Sequence, residues 1–130
     1  MVEGTLCKPV IVSKQFNANL PCILDYSLET FGYFQAERYK AKIEKALSTL
    51  SCYYTWYPEC RHIPTKSRMY RNIVLDAHLI IYRITKQRIE VLDIIHAASS
   101  ISKIRSTRKI SLWDRFTKLA IKTNSLTTNH

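Results

Sequence analysis

Residues that break or disorder a chain are scarce in this sequence: of its 130 residues, two are glycine and four are proline. That scarcity argues against a low-complexity or disordered chain. No segment approaches the roughly 18 uncharged apolar residues of a membrane-spanning helix, and residues 1–5 lack the apolar core of a signal peptide. With 46% apolar residues, the chain is instead expected to form a soluble, cytoplasmic protein with one core.

Paired metal-binding cysteines are also missing. The four cysteines, Cys7, Cys22, Cys52 and Cys60, form no C-x-x-C motif, and His62 close to Cys60 completes no zinc spacing. We therefore predict no metal site and no cofactor. In a reducing compartment the cysteines are expected to be free thiols.

The positive charge lies in the second part of the chain. Residues 1–59 hold six basic and six acidic residues, whereas residues 60–130 hold fourteen basic and four acidic ones, which accounts for the whole net charge of +10. One interpretation is a solvated face that keeps the protein in solution. The other is a surface for nucleic acid or an acidic protein, because a one-sided field raises the rate of encounter with anions.

Two helices are predicted in the first part of the chain. Apolar residues recur at helical spacing within residues 14–31 and again within 34–50. A single glycine, Gly32, separates them, so they are expected to form an antiparallel hairpin. Pro21 leaves two alternatives for the first helix: it kinks at the proline, or it begins near Asn19 with the proline in its first turn.

Runs rich in β-branched residues predict strands. Four segments qualify: residues 8–13, 68–75, 78–84 and 89–95. The last three follow one another on short turns and predict an antiparallel meander, covered on one face by the helical hairpin. The expected fold class is therefore α+β.

The end of the chain is predicted to be a separate extension. Residues 99–107 are polar and basic and indicate a coil. Ser111 and Asp114 have the spacing of a helix-capping pair, so a last helix is expected to begin at Ser111. We place one domain at residues 1–110 and a helical extension, packed on it or next to it, at 111–130.

Three stretches resemble one family when they are taken in order. They are TFG at 30–32 with QAERY at 35–39, IPTKSRMYR at 63–71, and the 78–96 hairpin with the basic segment 99–109. Together they resemble the RelE/ParE toxin superfamily of bacterial type II toxin–antitoxin systems, in its ParE-like branch, over about residues 8–110. Residues 111–130 fall outside the resemblance.

The resemblance implies a growth-inhibiting toxin that a cognate antitoxin holds silent. Two mechanisms occur on this fold: RelE-type members cut messenger RNA on the ribosome, and ParE-type members poison DNA gyrase without acting as hydrolases. Because a fold alone does not determine a function, the site residues must decide between them.

The residues favour the gyrase mechanism. RelE-type nucleases are expected to draw on strand lysines and arginines and on a tyrosine or histidine near the C-terminus. Here the arginine expected three positions before Tyr82 is Leu79, and no tyrosine follows Tyr82. We therefore predict no catalytic residue; a nuclease would have to use His78, His96, Arg71 and Arg83.

Seven residues are predicted to bind the target: Arg71, Arg83, His96, Lys103, Arg105, Arg108 and Lys109. Each also has a plain structural interpretation. The four residues after the sheet, Lys103, Arg105, Arg108 and Lys109, would lie in a solvated coil. His96 would hydrogen-bond the chain that leaves the sheet, and His78 would face solvent. Arg71 and Arg83 would lie on an exposed strand face with charge partners such as Glu90.

An apolar stripe in the last predicted helix, made of Trp113, Phe116 and Leu119, is predicted to bind the antitoxin or to pack on an open sheet face. The sequence thus predicts a binding toxin whose partners are an antitoxin and gyrase, alone or with its DNA, with no membrane partner. The alternatives are a ribosome-dependent endoribonuclease, whose partners would be the ribosome and mRNA, and a non-toxic nucleic-acid-binding module.

Overall fold

A computed structural model describes residues 7–112 of the chain. It confirms the predicted α+β class and shows one mixed sheet in the order β1–β4–β3–β2. The strands β2, β3 and β4 form the predicted antiparallel meander, and β1 adds to β4 in parallel. The four strands are β1 (Val10–Val12), β2 (Tyr70–Val74), β3 (His78–Ile84) and β4 (Ile89–His96).

The helical hairpin is also as predicted, with α1 at Lys14–Phe31 and α2 at Tyr33–Tyr53. The α1 helix begins early because Ser13 caps it: the Ser13 hydroxyl accepts from the Phe16 amide at 2.9 Å and donates to the Leu92 carbonyl on β4. Pro21 therefore lies inside the helix, and the alternative start near Asn19 is wrong.

Gly32 joins the two helices with φ +89° and ψ 172°, a backbone region that is almost restricted to glycine. The hairpin covers one face of the sheet. Its buried residues pack on the strands in one cluster, which includes Phe16, Ile43, Leu47, Leu50, Ile80, Tyr82 and Val91.

The opposite face of the sheet is covered as well, so the predicted open sheet face is wrong. Residues from the loop before β2 and from the chain after β4 close over it. They form a second cluster with the sheet that includes Cys60, Ile63, Ile81, Leu92, Ile104 and Leu112. A docking surface on this side must therefore be built by the covering segments and not by the strands.

The covering chain after β4 is helical, which corrects the coil predicted at residues 99–107. The short helix α3 spans Ile101–Ser106, and a 3₁₀ turn, Thr107–Lys109, follows it. The Ser100 hydroxyl caps α3 by accepting from the Lys103 amide at 3.1 Å. Ile104 supplies the apolar anchor that holds the helix on the sheet.

The predicted last helix, with Trp113, Phe116 and Leu119, lies outside the described residues. Leu112 is buried in the second cluster. Leu112 thus packs with sheet residues such as Ile81 and Leu92.

The expectation of four free thiols is wrong for two of them. Cys7 and Cys52 form a disulfide, whereas Cys22 and Cys60 are free. The chain before β1 runs beside the end of α2: the Lys8 amide donates to the Ser51 carbonyl at 2.8 Å and brings the two cysteine Cα atoms to 4.2 Å. A sequence separation of 45 residues concealed this proximity.

Within the described part of the chain, none of the helices combines the length and the apolar character that crossing a bilayer requires.

Candidate target-binding surface and histidine cluster

Four of the predicted target-binding residues lie together on α3 and the 3₁₀ turn. We call Lys103, Arg105, Arg108 and Lys109 the exit cations; all four are exposed. Their orientation follows from the local fold, because Ile104 and Thr107 are buried against the sheet at 4% and 2% exposure. The segment therefore presents its basic side chains to water.

Arg83 belongs instead to an ion triad with Glu90 and Arg88, in which Arg88 is the most exposed member, at 31%. Its guanidinium contacts Glu90 Oε1 at 2.6 Å, and Arg88 contacts Glu90 Oε2, also at 2.6 Å. The side chains of Arg83 and Glu90 are 14% and 7% exposed. The predicted cross-strand pairing of Arg83 with Glu90 is confirmed, whereas an exposed strand face at Arg83 is wrong.

The two arginines of this triad also hold the chain that leaves the sheet. Arg83 donates to the Arg108 and Ile110 carbonyls at 3.3 and 3.1 Å, and Arg88 donates to the Leu112 carbonyl at 3.2 Å. Burial by itself lowers the pKa of Arg83, but hydrogen bonds with Tyr70 and Glu90 leave it raised. We call residues 108–112 the exit segment. Arg83 thus binds two alternate carbonyls of this segment through a charged guanidinium.

Arg71 also donates hydrogen bonds to backbone carbonyls, on the helix side of the sheet. Its guanidinium donates to the Thr55 and Tyr57 carbonyls at 3.0 and 2.9 Å, and its Nε donates to the Arg68 carbonyl at 3.1 Å. These bonds tie the aromatic loop after α2 to the edge strand β2.

The two predicted histidines meet at the opposite end of the sheet. His78 begins β3 and His96 ends β4; the register pairs them, and their ring centroids are 5.5 Å apart. The His96 Nδ1 accepts from the Ala98 amide at 3.1 Å, which confirms its predicted bond to the chain exit. His78 does not simply face solvent: its Nδ1 lies 2.7 Å from the Tyr39 hydroxyl of α2.

Burial and the neighbouring His96 both lower the pKa of His78. Burial raises the pKa of Tyr39, an effect that the Ala77 backbone opposes and that Asp76 reinforces. His78 and Tyr39 therefore form a hydrogen-bonded junction between α2 and β3, in which the lowered pKa of His78 and the raised pKa of Tyr39 favour the neutral form of both groups.

Because the pKa of His78 is lowered in the folded protein, we expect the protein to lose stability on mild acidification. Because the folded pKa of His78 lies below the unfolded value of about 6.5, the unfolded chain binds more protons below that pH. The free energy of unfolding is expected to fall as the pH drops through about 6.5. Urea titrations between about pH 7.5 and 5 should show a smaller fall in His78→Gln than in the wild type. An unchanged pH dependence in that variant would contradict the assignment.

The four residues that a nuclease would need are not brought together. His78 and Arg83 lie at the two ends of β3, five residues apart, which corresponds to about 16 Å at the rise of an extended strand. Arg71 pairs with Tyr82 near the arginine end. The histidine cluster can exchange protons, but neither arginine reaches it to hold a phosphate.

The sequence analysis did not identify two residues of these sites: Arg88 in the ion triad and Tyr39 beside His78. Arg88 precedes Glu90 by two residues, so both project to the same side of the β3–β4 hairpin; this spacing could have revealed the triad. Tyr39 gave no signal, since its pattern in α2 is that of a core position.

Comparisons with known proteins agree with this architecture. A family model described as "ParE toxin of type II toxin-antitoxin system, parDE" matches residues 10–101. Curated protein sequences give no match. A solved structure entitled "Chromosomal ParDE TA system from P. aeruginosa" is similar in fold, with a TM-score of 0.56 at 16% identity, over 69% of this chain and 96% of that chain. The family match covers well over half of the sequence, and the chain therefore belongs to the ParE toxin family of type II toxin–antitoxin systems.

Proposed function

We propose that this toxin inhibits growth by binding DNA gyrase, alone or on its DNA, and that a cognate antitoxin neutralises it in the cytoplasm. The observation that carries the proposal is the set of exit cations. They stand exposed on a short, capped helix, and the sheet beneath them holds that helix in place. A fixed basic surface favours association with a negatively charged partner.

The residues that a nuclease would need lie apart from one another, which supports a toxin that acts by binding over one that acts by catalysis. Cleavage of RNA without a metal needs a base, an acid and a phosphate-holding cation within contact of one substrate. The guanidiniums of Arg71 and Arg83 are instead bonded to backbone carbonyls and to Glu90, far from His78 and His96.

The antitoxin is proposed to carry an acidic, partly disordered segment that orders on binding. Such coupled folding suits a basic surface beside apolar anchors. The apolar stripe Trp113, Phe116 and Leu119 stays the proposed anchor, and it lies outside the described residues.

A supercoiling assay tests the proposal. With gyrase, ATP and relaxed plasmid, added toxin is expected to leave the plasmid relaxed or cleaved.

The variant K103Q/R108Q/K109Q should need at least about tenfold more protein for the same inhibition, because each lost contact costs part of the binding free energy. The matched variant K40Q/K45Q/K86Q removes the same charge from exposed positions elsewhere and should inhibit like the wild type. Undisturbed supercoiling at a large excess of wild-type toxin would refute the proposal.

RNA cleavage is the second candidate, and the contacts among Tyr39, His78 and His96 are the observation that favours it. Because Arg71 and Arg83 lie away from these three side chains, the cations that hold the phosphate would have to come from another molecule, for example the ribosome. Cleaved message in a translation mixture, absent with His96→Ala, would favour this candidate. The same result with normal supercoiling would displace the gyrase proposal.

A further inference from the structure

A second basic segment lies directly beside the exit cations. Residues 61–68 carry the exposed side chains of Arg61, Lys66 and Arg68. Arg105 on α3 donates through Nε to the His62 carbonyl at 3.2 Å, which joins the two segments. Ile63 and Ile104 share the buried cluster beneath them. We call the combined surface the cationic face: Arg61, Lys66, Arg68, Lys103, Arg105, Arg108 and Lys109.

The charges of the cationic face are not neutralised within the described chain. Residues 60–75 and 94–112 contain no aspartate or glutamate. Glu59, just before the first segment, accepts from the Thr65 amide at 3.1 Å through Oε2. The described ion pairs join Lys42 to Asp76 and Glu90 to its two arginines, and none involves this face. Asp93 interacts electrostatically with Lys103, but it is buried and bonded to Asn19 at 2.7 Å. The seven cations therefore outnumber the two neighbouring carboxylates, Glu59 and Asp93, and the face keeps an excess of positive charge for an outside anion.

The composition of the face indicates which anion it fits. A protein partner needs an apolar or aromatic core to its interface. Among the large apolar side chains that are exposed in residues 7–112, Ile101 is the one within the two segments. The exposed aromatics Tyr26, Phe31, Tyr33 and Phe34 lie at the tip of the hairpin, which packs on the other face of the sheet.

Single-stranded nucleic acid is also a poor match. Proteins that bind single strands stack the bases on aromatic side chains, and residues 61–68 and 101–109 contain no phenylalanine, tyrosine or tryptophan. A surface of arginines and lysines without apolar or stacking groups matches the sugar-phosphate backbone of a duplex, where binding is polar and strongly charged.

We propose that the cationic face binds the phosphate backbone of duplex DNA directly, without sequence preference. For its biological meaning this inference rests on the proposed function, in which the DNA is the segment that gyrase holds. The binding itself needs no gyrase and can be measured alone.

The expected signature is a steep dependence on salt, because each neutralised phosphate releases counterions. If the face contacts about five phosphates, affinity should fall roughly 500-fold between 50 and 200 mM salt. Fluorescence anisotropy of the full-length protein with a labelled duplex of about 24 base pairs measures this slope. The variant K103Q/R108Q/K109Q should bind at least about tenfold more weakly at 50 mM salt and lower the slope by about three. None of these three side chains makes a hydrogen bond in the described structure, so the fold should be kept.

The control is K40Q/K45Q/K86Q, which lowers the net charge equally and should change binding less than threefold. Equal losses in both variants would reduce the effect to net charge and overturn the inference. No wild-type binding at 50 mM salt would overturn it as well. So would tighter binding of a matched RNA duplex, of a single strand or of a polyglutamate peptide of equal charge.

The two proposals fail in distinguishable ways. Duplex binding without any effect on supercoiling keeps this inference and removes the gyrase target. Inhibition of gyrase by a protein that binds no duplex keeps the gyrase target and overturns the inference.

Discussion

Replacing Glu90 with alanine is expected to lower the free energy of unfolding by about 3–5 kcal/mol, the usual effect of removing one partner from a buried ion pair. Within residues 7–112, Glu90 is the one carboxylate that pairs with the guanidiniums of Arg83 and Arg88. Without it, two positive charges face each other, and Arg83 is largely withdrawn from water. Urea unfolding followed by circular dichroism measures the change.

The same substitution should loosen the exit segment before the protein unfolds. Arg83 and Arg88 hold the carbonyls of Arg108, Ile110 and Leu112 only while Glu90 orients them. Hydrogen exchange near residues 108–112 is therefore expected to accelerate more than exchange in α2. Because the exit segment carries two of the exit cations, duplex binding should weaken as well.

Asp76→Ala is the matched control, because it also breaks one ion pair. The Lys42 and Asp76 side chains are 50% and 68% exposed, so solvent screens their attraction and the change should stay below about 1 kcal/mol. A Glu90→Ala loss no larger than that of Asp76→Ala would show that the triad does not stabilise the fold.

The strands and hairpin helices were predictable because their signals are local. The β3 strand spans the predicted residues 78–84, since its β-branched run is bounded by polar turns. The short helix α3 was not predictable in this way. Its six residues bury Ile104 alone, so no apolar repeat marks it, and its cap at Ser100 looks like any serine of a polar coil.

The exposure of the exit cations could be expected from the sequence, because residues 99–109 are polar and basic and contain no carboxylate. The engagement of Arg71 and Arg83 could not. Arg71 donates to the Thr55 carbonyl sixteen residues away, and Arg83 donates to the Ile110 carbonyl twenty-seven residues away. Backbone acceptors leave no mark in a sequence, so the sequence could not show that these two arginines bond to distant carbonyls.

Loss of the Cys7–Cys52 disulfide is expected to lower the free energy of unfolding by about 2–4 kcal/mol. The bond closes a loop with a sequence separation of 45 residues, which spans β1 and both helices of the hairpin. In the chain-entropy account, a loop of this length restricts the unfolded state strongly, so the reduced chain gains freedom on unfolding. The folded state should change little, because Lys8 and Ser51 keep two hydrogen bonds across the same junction.

Urea unfolding of the oxidised protein, the reduced protein and the C7S/C52S variant measures this difference. Reductant should bring the wild type to the stability of C7S/C52S and leave that variant unchanged; Cys22→Ser, at an exposed free thiol, should behave like the wild type. A wild type unaffected by reductant would contradict the prediction. Because a reducing cytoplasm keeps such bonds open, the toxin proposed to act there would be in its less stable form. Its lifetime without antitoxin would then depend on the redox state of the cell, because a loss of this size multiplies the unfolded fraction by roughly 30 to 900.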